Sequence, residues 1–139
     1  MKNRVSLEEY LKNIYILGLR GEVHGADIAA AMNKTRPTVS VALKNLSRDG
    51  YVTMDEHRAV ALTEKGMEIA AETYRRNRAI SQALIKMGVD EETARRDAGL
   101  LEHAVSAQSF AALQRIVREK LGGAADPEEA AADGNEEPR

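Results

Sequence analysis

In the stretch RRDAGLLEHAVSAQ, residues 95–108, a carboxylate and an imidazole stand side by side at Glu102 and His103 in an otherwise small, apolar run. A hard oxygen donor beside a neutral ring nitrogen suits a divalent transition metal. The same two side chains also serve as a polar edge on a packed helix, with the imidazole satisfied by a hydrogen bond. Other chemistries are poorly provided for. The chain has no Cys, which removes thiolate zinc sites, disulfides and cysteine nucleophiles. It carries no Gly-rich phosphate loop, no nucleophile motif and no pair of acids arranged for general acid–base work. Catalysis is therefore not expected.

The elements that must hold this pair are helices. At 139 residues the chain suits one compact unit, or two very small ones sharing a core. Apolar residues make up 43% but aromatics only 4%, with one Phe and no Trp. The core is thus built from Leu, Ile, Val, Met and Ala, a mixture that favours helix. SLEEYLKNIYIL predicts a first helix, with Ser6 as cap, Glu9 as capping-box partner, and Leu7, Tyr10, Leu11 and Ile14 at helical spacing. GADIAAAMN predicts a second from about Ala26 to Met32. TRPTVSVALKNLSRDG predicts a third, entered at Thr35 or Arg36 before Pro37, buried through Val39, Ala42, Leu43 and Leu46, and ended by Gly50.

The period then changes. YVTM and AVAL flank the polar DEHR, so Tyr51 to Leu62 reads as a hairpin. Thr63 caps a long helix to about Met87, with Ile69, Ile80, Leu84 and Met87 as inner positions and Gly88 as its stop. Asp90 caps a further helix through about Ala104. Ser106 caps the last, whose Phe110, Leu113, Ile116, Val117 and Leu121 share a face. The segment 122–139 has no periodicity and is expected to be disordered. No apolar run approaches a membrane span and no leader is visible, so a soluble cytoplasmic protein is expected.

The formal charge of −2 hides an uneven distribution. Residues 122–139 carry six acids against one base. Lys34 to Arg48 holds Lys34, Arg36, Lys44 and Arg48 and no acid. That basic stretch coincides with the third helix, in an order (helix, short helix, turn, helix, hairpin) that makes a winged helix-turn-helix. In that arrangement the third helix enters the DNA major groove because the first two brace its inner face. Its outward positions are Arg36, Thr38, Ser40, Val41, Lys44 and Asn45. The hydroxyls suit phosphate contacts, Val41 a thymine methyl, and Lys44 and Asn45 longer reaches. His57 and Arg58, at the hairpin tip, approach the backbone or minor groove. The other reading the residues leave open is a winged-helix adaptor that binds protein and has no DNA affinity.

SLEEYLKNIYIL, ADIAAAMNKTRPTVSVALKNLSRDGYV, HRAVALTEKG and MGVDEETARRDAGLLEHAVS together resemble the diphtheria toxin repressor family of iron- and manganese-dependent transcriptional regulators. The likeness is nearest to its short manganese transport regulator branch and covers about Ser6 to Leu121. It implies a mainly α fold: a DNA-binding winged helix-turn-helix at 1–66, a helical dimerisation and metal-binding part at 67–121, and the acidic tail at 122–139. It implies a homodimeric repressor acting on double-stranded operator DNA. Thr35, Pro37, Thr38 and Ser40 occupy the family's DNA-contacting positions.

The resemblance also implies metal ligands at residues 9, 12, 77, 99, 102 and 103. This chain keeps Glu9, Glu102 and His103 but has Lys12, Asn77 and Gly99 at the others. Residues 99, 102 and 103 stand at i, i+3 and i+4 on one helix face. Glycine removes a ligand there, and Lys12 brings an ammonium to a cation site. A two-metal centre is therefore not expected. Two outcomes remain. One is a single Mn2+ or Fe2+ held by Glu9, Glu102, His103 and water, with Zn2+ as competitor. The other is a degenerate site with no metal, in which Lys12 bridges Glu102 and Glu9. The plainer roles are a capping-box Glu9 and a Glu8–Lys12 surface pair. His24 and His57 are expected too far apart in the fold to complete a metal site.

Overall fold

The computed structural model describes residues 3–120. Leu121 and the acidic segment expected to be disordered lie outside the described residues. In order, the elements are α1 (Arg4–Gly18), α2 (Gly25–Met32), α3 (Arg36–Arg48), β1 (Val52–Met54), β2 (Val60–Leu62), α4 (Glu64–Lys86), α5 (Glu91–Leu101) and α6 (Ala107–Lys120). This is a winged helix-turn-helix followed by helices alone, the mainly α class expected. The described residues fall into two compact units, divided between Thr73 and Tyr74.

In the first unit, α1 begins earlier than Ser6. Its cap is Asn3, whose side-chain oxygen accepts from the Val5 and Ser6 amides at 3.0 and 3.5 Å. Ser6 therefore lies inside the helix, and Glu9 is no capping-box partner. Leu7, Tyr10, Leu11 and Ile14 are buried with Ile28, Val39, Leu43, Leu46, Val52 and Val60 in one cluster. Asn33 makes the tight turn between α2 and α3 at φ 52°, a left-handed conformation its short amide side chain tolerates. Thr35 caps α3: its Oγ1 accepts from the Thr38 amide at 3.3 Å.

β1 and β2 pair antiparallel, Thr53 opposite Ala61, and the Val60 amide donates to the Val23 carbonyl at 2.7 Å. The base of this hairpin is fastened to the start of α4. Thr63 Oγ1 donates to the Gly50 carbonyl at 2.7 Å and accepts from the Gly66 amide at 3.2 Å. Lys65 Nζ donates to the Asp49 carbonyl at 3.0 Å and lies 4.2 Å from the centre of the Tyr51 ring. The long helix thus starts locked to the turn that ends α3.

In the second unit, Ile80, Ala98 and Phe110 form the buried centre, with Leu84 and Val105 packed against it. Arg76 lies 5.6 Å from the Phe110 ring centre and donates to the Val105 carbonyl. Gly88, at φ 99°, turns the chain out of α4. Met87 follows the last residue of α4 and is 59% exposed, so it is not the inner position its spacing suggested. Asp90 caps α5 by accepting from the Thr93 amide at 3.0 Å, and that bond holds its carboxyl below the usual carboxylate range. α5 ends at Leu101 rather than near Ala104. Glu102 is its cap residue in right-handed helical conformation, so helical spacing persists through it. Ser106 caps α6, its Oγ accepting from the Ser109 amide at 3.1 Å. Phe110 is buried, but Leu113 and Ile116 are exposed. Among the described residues no helix is long and apolar enough to cross a membrane.

Candidate nucleic-acid interface and metal ligands

The inner face of α3 is held by Val39, Ala42, Leu43 and Leu46, all buried. This fixes the opposite face toward solvent. Thr35, Arg36, Pro37, Thr38, Val41 and Lys44 are exposed there, while Ser40 and Asn45 are half-buried at its edges. Val41, at 61% exposure, is an aliphatic side chain left largely in solvent. The Thr35 hydroxyl donates to Thr38 Oγ1 at 2.7 Å, so the two threonines form one fixed polar step at the helix start. The first-turn backbone amides and the helix dipole favour an anion at that end.

The hairpin tip is built by one side chain. Asp55 Oδ1 accepts from the His57 and Ala59 amides at 2.8 and 2.9 Å, and its carbonyl accepts from the Arg58 amide at 3.0 Å. Arg58 is held at φ 63°, and both His57 and Arg58 are exposed. Between the tip and α3 runs a groove of about 460 Å³, lined among others by His24, Arg36, Ser40, Lys44, His57 and Arg58. His24 and His57 share this groove, a proximity that sequence reasoning did not foresee. His24 lies 3.0 Å from Glu22 and His57 3.9 Å from Glu56. Nothing in the local sequence around His24 signals its place in the groove, because the fold alone brings α2 beside the wing.

The metal-ligand candidates fall in both units. In the first, Glu9 Oε1 lies 3.2 Å from Lys12 Nζ, and the Lys12 side chain is only 11% exposed. Glu8 pairs with Arg4 at 3.0 Å. In the second, His103 Nε2 lies 3.1 Å from Glu102 Oε1, and the two side chains are 5% and 0% exposed. Two ligands at right angles around an ion, each about 2.1 Å from it, stand about 3 Å apart. The Glu102–His103 spacing therefore suits a pair of neighbouring ligands as well as a hydrogen bond. Asn77 is half-buried, and a side chain added at Gly99 would meet nothing within 4 Å.

The family described as iron dependent repressor, N-terminal DNA binding domain, matches residues 5–60. Its metal binding and dimerisation domain matches residues 63–120. The chain belongs to the iron-dependent repressor family. This is the diphtheria toxin repressor family, and the relatives place the chain in its MntR-like branch. The transcriptional regulator MntR of Salmonella typhimurium is 36% identical over 108 residues, covering 77% of this chain and 69% of the relative. Among solved structures, the manganese regulator SloR matches with 31% identity and a TM-score of 0.72, over 81% of this chain and 53% of that one. A manganese-dependent transcriptional repressor in complex with manganese matches with 29% identity and a TM-score of 0.73, over 87% and 55%. The chain thus spans about half the length of these solved chains.

Proposed function

We propose that this member of the iron-dependent repressor family is a homodimeric, metal-responsive regulator that binds double-stranded operator DNA and represses transcription. Residues 1–66 read the DNA and residues 67–121 form the dimer. The observation that carries this reading is the exposed, acid-free outer face of α3 beside a groove lined by Arg36, Lys44 and Arg58. Arg36 and Arg58 suit phosphates, and Thr35, Pro37, Thr38 and Ser40 sit where the helix start meets the backbone. Val41, Lys44 and Asn45 face base edges, and His57 goes to the backbone beside the wing. A regulator of this kind acts on DNA in the cytoplasm, as a binding protein and not as an enzyme.

The dimer reading is supported by α5 and α6. Leu100, Leu101, Leu113 and Ile116 are 71%, 42%, 49% and 53% exposed. Four large apolar side chains left exposed on two helices suit an interaction surface, and a second copy of a dimerisation domain is its natural cover.

For the metal, Glu9, Glu102 and His103 supply the candidate donors. Two carboxylates and one imidazole fit a single Mn2+ or Fe2+ completed by water, with Zn2+ as competitor. They do not fit two ions, since Lys12, Asn77 and Gly99 offer no second set of anionic donors. When bound, the ion supplies positive charge that neutralises the carboxylates. Glu102 and His103 are oriented by the end of α5, and Glu9 by α1, whose inner face packs against the core behind α3.

The test is duplex selection from a random pool, followed by fluorescence anisotropy on the selected site over a range of salt. Affinity that falls steeply as salt rises supports the reading, because counterion release drives phosphate binding. No retention of any duplex at low salt, with or without Mn2+, would favour the protein-binding adaptor instead.

A further inference from the structure

On α1, Lys12 is the cation beside a candidate ligand. Its Nζ stands 3.2 Å from Glu9 Oε1, and its side chain is 11% exposed against 31% for Glu9. Long lysine side chains ordinarily send the ammonium into water. This one lies along its own helix with the charged end at a carboxylate. We propose that Lys12 is a resident cation at Glu9, which a divalent ion must displace before Glu9 can act as a ligand, so that Lys12 sets the metal concentration at which the site fills. The proposal rests on the assignment of Glu9 as a ligand and adds how that site is regulated.

Three physical points carry it. An ammonium and a divalent ion on the same carboxylate repel each other, and the repulsion grows as water is excluded. Lys12 is tethered three residues from Glu9 on a rigid helix, so its local concentration at the carboxylate is high and independent of the medium. The glutamate before the lysine in an i, i+3 pair is also the favoured order on a helix. Glu8, the other acid within helical reach of Lys12, lies 3.0 Å from Arg4, which is consistent with Lys12 turning toward Glu9. Displacement therefore requires a rotamer change of an enclosed side chain, and the ion has to be present in excess to drive it.

The test is Mn2+ binding to the full chain, followed by electron paramagnetic resonance of free Mn2+, with circular dichroism to confirm folding. Wild type is compared with Lys12→Met, which keeps the length and removes the charge, and with Lys12→Arg, which keeps the charge. Each is also made with Glu9→Gln. The expected result is that Lys12→Met binds Mn2+ about tenfold more tightly or better, that Lys12→Arg stays near wild type, and that Glu9→Gln lowers binding in every background. Equal affinity for wild type and Lys12→Met, with Glu9→Gln still weakening both, would overturn the resident-cation role and leave the assignment of Glu9 as a ligand standing. If Glu9→Gln changed nothing in any background, that assignment would fall, and the role of Lys12 with it. If Lys12→Met does not fold, Lys12→Gln carries the same comparison.

Discussion

His103 Nε2 lies 3.1 Å from Oε1 of Glu102, and the glutamate side chain is completely enclosed. A carboxylate withdrawn from water needs positive charge or several donors to remain there. The imidazole next in sequence supplies one polar contact, and the same spacing admits a metal ion. Glu102→Gln keeps the volume and an acceptor while removing the charge. It is expected to weaken Mn2+ binding by about 100-fold or more, since even outer-shell changes cost about 10- to 100-fold, and to leave the helical content unchanged. Calorimetric titration with Mn2+ checks the first point and circular dichroism the second.

Gly99 offers the reverse experiment. It lies in α5, one turn before Glu102 and His103, with open space where a side chain would go. Gly99→Glu is expected to fold, to gain up to about 1 kcal/mol from better helix propensity, and to bind Mn2+ more tightly than wild type. Thermal unfolding without metal measures the propensity term, and repetition with Mn2+ shows the added ligand as a further rise in Tm.

Gly66 is the opposite kind of glycine. A Cβ there would come within 2.1 Å of the Tyr51 carbonyl oxygen, a backbone atom that cannot yield without moving the hairpin base. Gly66→Ala is expected to destabilise the first unit by about 2–3 kcal/mol, read by urea denaturation. Because Thr63 and Lys65 bind the same turn, the variant is also expected to loosen α3 relative to α4 and to weaken DNA binding.

Much of this was legible in the sequence, and the exceptions have physical causes. The eight elements follow from caps and periods that act locally: Thr35, Asp90 and Ser106 cap where they were expected, and Gly50 and Gly88 end helices at positive φ. Ser6 was displaced as a cap by Asn3, an equally good acceptor one turn away. Met87 has the right spacing for the inner face but comes after the helix has ended. The stripe on α6 was visible, but amphipathicity cannot say whether its cover is the same chain or another, and Leu113 and Ile116 turn out exposed. Lys12 had acids at both i−3 and i−4, and spacing alone does not choose between them. Of the nucleic-acid face, α3 was readable because one helix carries it, whereas the place of His24 in the groove depends on tertiary packing.

At the α6 surface, Leu113→Asp and Ile116→Asp together are expected to convert the proposed dimer to monomer, because two charges would have to be buried at the proposed contact. Sedimentation velocity at micromolar concentration reads the change. The same variant is expected to lose most of its affinity for a two-fold-related duplex and to keep weak binding to a half-site.

Arg36 and Lys44 differ in what they are expected to contribute. Arg36→Ala should weaken binding to all duplexes alike and lower the slope of log affinity against log salt by about 1. Lys44→Ala should relax selectivity among duplexes, at a cost of about 1–3 kcal/mol for the preferred sequence. Anisotropy on the selected site and on single-base variants separates the two.

This repressor-family chain is proposed to grip DNA as a metal-loaded dimer. The most direct measurement is the affinity for its selected duplex, at fixed salt, as Mn2+ is added to chelator-treated protein. Binding is expected to strengthen as Mn2+ saturates one site per chain, with two chains per duplex, and Glu102→Gln is expected not to respond. Tight binding in chelator that Mn2+ leaves unchanged would contradict it.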